Sequence, residues 1–168
     1  NIGNTTTYTP SSNWSEGNHS LRVRAVDGAG RIGPQSASGS VLIAIPPSNP
    51  TTINGYSDKT ATKVPINQTD YYSYQNPYFE WSGASDIGSG VDGYYVYFGT
   101  NSSADPTSYQ TTATKEASCS TDGTYHLRIK TKDKAGNISS TTLEAFVYHY
   151  DVTSPTASFS SPNSNSYN

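Results

Sequence analysis

Cysteine, methionine and charge are all scarce in this chain. Its 168 residues include one cysteine, Cys119, and no methionine. A lone thiol excludes an internal disulfide, so packing and hydrogen bonds alone must hold the fold. Charged residues make up only 14% and hydrophobic residues only 32%. That combination raises the question of disorder, but disordered segments also lack aromatic and β-branched residues. Here 14 tyrosines, with Val, Ile and Thr, fall in strand-like runs, which points to a small, thin core. A net charge of −3 excludes a general nucleic-acid-binding role, which needs a positive field. No apolar stretch approaches the length of a membrane helix. No window keeps apolar residues at helical spacing for three turns, so no helix is expected. Gly-x-Ser-x-Gly, a phosphate loop and His-Glu-x-x-His are all missing, and no enzyme activity is expected. The small-polar, Lys-poor composition fits an extracellular, cell-surface setting. Six Asn-x-Ser/Thr sequons, at Asn4, Asn13, Asn18, Asn67, Asn101 and Asn137, arise readily by chance in a chain so rich in Ser, Thr and Asn.

What the chain does have is a phrase said twice. Residues 16–33 read EGNHSLRVRAVDGAGRIG, and residues 122–139 read DGTYHLRIKTKDKAGNIS. At an offset of 106 the identities are Gly17/Gly123, Leu21/Leu127, Arg22/Arg128, Asp27/Asp133, Ala29/Ala135, Gly30/Gly136 and Ile32/Ile138. A second echo sets Ser48-Asn49-Pro50-Thr51 against Thr153-Ser154-Pro155-Thr156 at an offset of 105. A period near 105 residues is the size of a small β-sandwich. It implies a tandem array.

Period-two alternation fills the segments between turn signals. Tyr125, Leu127, Ile129 and Thr131 share one face of 123–132, and His126, Arg128, Lys130 and Lys132 the other. In 19–26, Leu21, Val23 and Ala25 are expected inward. These are signatures of half-buried antiparallel strands. Further strands are expected at 78–82, 93–99, 109–120 and 141–150, with a turn at 100–108. The implied domains are 1–49, the closing strands of one unit; 50–154, a complete sandwich; and 155–168, the opening strand of a further one. The first part lacks the strands that would cover its apolar face, so it should be frayed or paired with another chain.

The run Gly17-x-x-x-Leu21-Arg22-Val23-Arg24-Ala25-Val26-Asp27-Gly28-Ala29-Gly30, and its echo from Gly123 to Gly136, resemble the F strand and following turn of fibronectin type III and related bacterial Ig-like domains. The resemblance puts Tyr125 at the family's tyrosine corner and Trp81, in PYFEWSG, at its buried strand B tryptophan. Residues 88–97 are similar to the entry to strand C. Residues 59–76 depart from the pattern, being longer than the usual A–B connection. The fold class implied is all-β, with Ig-like (fibronectin type III-like) antiparallel β-sandwich repeats of extracellular surface proteins.

Candidate chemistry is sparse. The Asp-x-Ala-Gly turns at Asp27 and Asp133 have two readings. In one, Asp binds its own backbone while Gly supplies positive φ. In the other they form a calcium loop, with Asp86, Asp92 and Asp151 as further oxygen donors. The turn reading is favoured, no cofactor is expected, and calcium is kept as the lesser alternative. His149 lies two residues from Asp151 and could meet it on one strand face. The basic row Arg22, Arg24, Arg128, Lys130 and Lys132 reads as a solvated strand face before an anion-binding one. A lysine crosslink from Lys59 or Lys63 finds no Asn or Gln in the last strand. Tyr71, Tyr72, Tyr74 and Tyr78 crowd the anomalous segment beside Asn67, Gln68 and Asn76. Tyr95 and Tyr97 project outward from strand C. Aromatic rings beside amides suit sugar stacking or a protein interface, so Tyr71, Tyr72, Tyr74, Tyr95 and Tyr97 form the candidate ligand or partner surface. The alternative is that these rings shield a thin core.

The functional expectation is structural: a tandem stalk, adhesin shaft or filament component. Its partners would be neighbouring repeats or protomers, with glycans or surface proteins as candidates, no nucleic acid and no membrane insertion. The half-unit at 1–49 raises a sharper idea, a fibre built with strands from other protomers. The alternative class is a carbohydrate-binding or spacer module of a secreted polysaccharide-degrading enzyme.

Overall fold

A computed structural model of the protein describes residues 7–158. Thirteen strands and no helix are present among them. Residues 17–43 form β1 (Gly17–Leu21), β2 (Arg24–Val26), β3 (Ile32–Gln35) and β4 (Gly39–Ile43). β1 pairs with β4 and β2 with β3, all antiparallel. The strand expected over 19–26 is thus broken at residues 22–23.

Residues 52–150 form two facing sheets, the β-sandwich that the alternation predicts. One sheet holds β5 (Thr52–Tyr56), β6 (Pro65–Ile66), β8 (Tyr78–Ser82) and β11 (Thr114–Glu116), in the order β11-β8-β5-β6. The other holds β7 (Tyr71–Tyr72), β9 (Val91–Gly99), β10 (Ser108–Gln110), β12 (Gly123–Asp133) and β13 (Leu143–Tyr150), in the order β10-β9-β12-β13-β7. The Thr-rich stretch 109–120, read as one strand, is two. β10 belongs to one sheet and β11 to the other, with Thr112 and neighbours crossing between them. The anomalous 59–76 segment also changes sheets. β6 pairs with β5, then β7 lies parallel to β13, with His149 opposite Tyr71 and Tyr150 opposite Tyr72. A strand that serves both sheets covers two edges with one connection, which accounts for its length.

The core follows the alternation. Tyr125, Leu127, Ile129, Thr131 and Asp133 of β12 all point inward and are buried. They meet Phe79 and Trp81 of β8, Tyr94 and Val96 of β9, and Phe146 and Tyr148 of β13. Phe79 sits at the centre, 5.1 Å from the Phe146 ring and 5.6 Å from Phe98. The Tyr125 hydroxyl donates to the Thr121 carbonyl at 2.9 Å and accepts the Ser120 and Thr121 amides. That bond four residues back along the chain is the geometry of a tyrosine corner.

The turn of the repeated phrase folds the same way twice, although its strand is broken in the first copy and continuous in the second. Asp27 and Asp133 each accept two contacts from the residue four positions on. Asp27 takes the Arg31 amide at 2.8 Å and its Nε at 2.8 Å; Asp133 takes the Asn137 amide at 2.7 Å and its Nδ2 at 2.8 Å. Gly30 and Gly136 close these turns at φ of 83° and 97°, a region that disfavours any side chain. The Val26–Ile32 pair recurs as the Lys132–Ile138 bridge. What differs is the cover. Leu127 and Ile129 are fully buried, whereas their equivalents Leu21 and Val23 are 41% and 64% exposed. No second sheet lies over β1–β4 among the described residues. The expected opening strand at 155–168 falls largely outside the described residues, and 155–158 are irregular.

Candidate functional site

The five tyrosines proposed as a ligand surface do not form one surface. Tyr72 is sandwiched between Tyr148 at 5.9 Å and Tyr74 at 5.8 Å, and its hydroxyl accepts the Asn67 amide. The Tyr74 carbonyl accepts the Tyr148 hydroxyl at 2.7 Å. These rings close the side of the core. Tyr95 and Tyr97 lie on the outer face of β9. Tyr95 packs on Tyr109 at 5.4 Å, and the Tyr97 hydroxyl accepts the Asn101 amide at 3.1 Å. Tyr71 alone is widely exposed, at 71%, with one face stacked 5.0 Å from the His149 ring. His149 turns its Nδ1 to the Thr124 hydroxyl at 3.1 Å and its ring to Tyr71, so the imagined His149–Asp151 pair gives way to those contacts.

The β12 part of the basic row is spent internally. Lys132 pairs with Asp92 at 2.6 Å and Lys130 with Asp105 at 2.6 Å. Arg128 donates to the Ala104 carbonyl at 2.7 Å and to the Ser102 carbonyl. Lys63 and Lys59, the candidate crosslinking lysines, face Glu80 at 2.7 Å and Glu116 at 3.6 Å. The Lys132 ammonium and the Tyr109 hydroxyl hold the Asp92 carboxyl below the usual range. The candidate calcium oxygens are likewise engaged by N–H and O–H donors. Asp86 accepts the amides of Ser89 and Gly90 at 2.8 and 2.6 Å. Burial pushes the Asp86 carboxyl up, but those amides outweigh it and the group stays low. Cys119 is buried, and burial pushes its thiol up to about 11.

The densest long-range polar contacts lie elsewhere, at the join between the 17–43 hairpins and the sandwich. Pro47 and Pro50 are buried. Between them, Ser48 donates its amide to the Ser85 carbonyl at 2.8 Å, and its hydroxyl meets that of Ser85 at 2.9 Å. Asn49 then bridges β12 and the turn that leads into β13. Its Nδ2 donates to the Thr141 carbonyl at 2.7 Å, and its Oδ1 accepts the Thr131 amide at 3.1 Å and hydroxyl at 3.2 Å. Asn137 Nδ2 reaches back to the Ala44 carbonyl at 3.3 Å. Glu16, just before β1, accepts the Ile45 amide at 3.3 Å and lies over Gly88, where a Cβ would stand 2.7 Å from Glu16 Oε1. Sequence reasoning placed a Pro-bearing boundary here but did not single out Glu16, Asn49, Gly88 or Asn137. The signal was present: the Ser48–Thr51 echo and the Glu16/Asp122 exchange both mark it.

Fold and site together define a class: an all-β, β-sandwich protein whose most developed feature is a docked link rather than a pocket. No described protein family matches the chain, and no solved structure matches it. It is similar to Exoglucanase B of Cellulomonas fimi, 29% identical over 153 residues, which is 90% of this chain. The chain spans 13% of that protein's length.

Proposed function

We propose that this chain is a non-catalytic spacer segment of a secreted polysaccharide-degrading enzyme, built from fibronectin type III-like or bacterial Ig-like sandwiches whose relative orientation is fixed by the link. The observation that carries this reading is the docked joint. Modules on a shared chain swing freely by default unless something holds the interface. Here buried Pro47 and Pro50 fix φ on either side of Ser48-Asn49, and Asn49 ties the link to β12 and to the turn before β13. Such a joint sets distance and direction between whatever stands on either side. The similarity to Exoglucanase B over a small part of its length supports the enzyme setting over an adhesin shaft or filament, and with it an extracellular location. A spacer acts through its mechanics, so the absence of catalytic motifs noted in the sequence fits the role.

Backbone 15N relaxation tests this reading. Amides of β2 and β3 should report the same overall tumbling as those of β12 and β13. A distinctly shorter correlation time for residues 24–35 would show a swinging attachment and remove the spacer reading.

A further inference from the structure

Tyr71 differs from the other tyrosines of its group in having a ring that is both held and open. It is 71% exposed, and one face stacks on His149 at 5.0 Å with the planes 29° apart. β7 is an edge strand, paired with β13 alone. The turn that leads into β7 is locked before Tyr71 is reached. Asn67 Oδ1 accepts the amides of Thr69 and Asp70, each at 2.9 Å, and the Thr69 hydroxyl. The Asn67 amide donates to the Tyr72 hydroxyl, and Gln68 Oε1 accepts the Val147 amide at 2.9 Å. Register sets His149 opposite Tyr71, and the Thr124 hydroxyl holds the imidazole at Nδ1. Neighbours on both sides thus place the ring, so little ordering entropy is left to lose when a ligand lies on its open face.

The polar groups that hold the ring have bonding capacity to spare. Gln68 Nε2 and His149 Nε2 have no partner among the described residues. The exposed Asp70 carboxylate accepts the Asn67 Nδ2 and the Thr69 hydroxyl and keeps further lone pairs. An open aromatic face therefore stands beside an amide, an imidazole and a carboxylate. A protein hot spot asks for the opposite, an aromatic ringed by contacts that exclude water. A pyranose with equatorial hydroxyls fits: its C–H face lies on the ring and its hydroxyls meet the polar groups. In a β-1,4-linked glucan the linkages are equatorial too, so an inner unit can lie on the ring as readily as an end. We infer that Tyr71, backed by His149 and with Gln68 and Asp70 in the turn beside it, is a binding subsite for one glucose unit of a β-1,4-linked glucan. This goes beyond the spacer reading and does not depend on it: the segment touches the polymer as well as setting distances. One ring and a few polar groups give weak binding, with a dissociation constant on the order of 1 mM.

The test titrates the full chain with cellopentaose at millimolar concentration and follows it by 15N-correlated NMR. The expected shifts centre on the amides of residues 68–72 and on the His149 ring. Tyr71→Ala should weaken binding about tenfold, whereas Tyr71→Phe, which keeps the face, should change it by less than about twofold. Gln68→Glu keeps the acceptor for the Val147 amide but loses the donor, and should weaken binding about threefold. Tyr95→Ala, on the outer face of β9, should leave it unchanged. Tyr71 and Gln68 are exposed, and an unchanged melting temperature checks that their variants fold. Maltopentaose, whose α-linkages turn the chain, should bind more weakly. An absence of shifts, shifts centred elsewhere, or shifts at Tyr71 that survive Tyr71→Ala would overturn the inference, as would equal affinity for maltopentaose. Broadening at 68–72 that grows with protein concentration and ignores the sugar would give the face to a second copy of the chain and overturn it too. None of these results moves the tumbling of residues 24–35, so the spacer reading stands or falls separately.

Discussion

Replacing Asn49 by alanine removes three hydrogen bonds at once, and their surroundings set the cost. The Thr141 carbonyl is exposed and turns to water when Nδ2 is gone, so that bond is worth about 0.5–1 kcal/mol net. The Thr131 amide keeps a second acceptor, the Ser139 hydroxyl at 3.1 Å. The Thr131 hydroxyl keeps none and is fully buried, so leaving it unpaired costs about 1–2 kcal/mol. Together Asn49→Ala should destabilise the sandwich by about 2 kcal/mol and lower its melting temperature by roughly 10 °C for a domain of this size. Urea denaturation followed by tryptophan fluorescence measures it, because Trp81 is in the core. The same substitution on a Thr131→Val background should cost about 1 kcal/mol less, since the orphaned hydroxyl is gone. A single-variant loss below about 0.5 kcal/mol, or equal losses on both backgrounds, would refute the role given to Asn49.

Four further outcomes follow from the same geometry. Leu127→Ala should cost about 2–5 kcal/mol by equilibrium unfolding, whereas Leu21→Ala, its equivalent at an exposed position, should change stability by less than about 0.5 kcal/mol. Tyr125→Phe removes one donated and two accepted bonds at a partly solvated corner and should cost about 1–2 kcal/mol in the same assay. Glu80, Asp92, Asp105 and Asp122 are all held below the ordinary carboxylate values of 3.8 (Asp) and 4.5 (Glu). Folding favours their charged forms, so their contribution is complete above about pH 5 and fades as pH falls through the lowered values; a melting temperature flat between pH 4 and pH 2 would contradict this. With its thiol pushed up to about 11, Cys119 is about one part in a thousand thiolate at pH 8, so native protein should react with a disulfide reagent far more slowly than urea-unfolded protein.

Much of the sandwich was legible because one face of each strand is buried and the other wet. β12 alternates without a break, so Tyr125, Leu127, Ile129 and Thr131 could be placed inward from the sequence. The tyrosine corner and the buried Trp81 followed from the resemblance of short motifs. β6 and β7 were not legible, since two-residue strands carry no period and their pairing depends on edges set by distant residues. The division of 109–120 between two sheets has the same cause. The tyrosine cluster could not be divided from composition. Composition shows rings beside amides, but only packing separates Tyr72, closed between two other rings, from Tyr71, open on one face. The joint was half visible. The echo at Ser48-Asn49-Pro50-Thr51 marked a boundary, yet Asn49 to Thr131 spans 82 positions, and no local pattern announces a contact of that separation.

The central claim, a link that holds its neighbours in one orientation, is tested most directly at Gly88. An alanine there brings a Cβ within 2.7 Å of Glu16 Oε1 and 2.8 Å of its Cγ, in a half-buried loop outside the hydrophobic core. Pulsed electron resonance between Ala37→Cys and Thr107→Cys labels should give one narrow distance distribution in the chain with Gly88. It should give a shifted one with Gly88→Ala, because Glu16 must move aside while Ser48 and Asn49 still hold the link, at unchanged sandwich stability. Broad distributions in both would contradict the account.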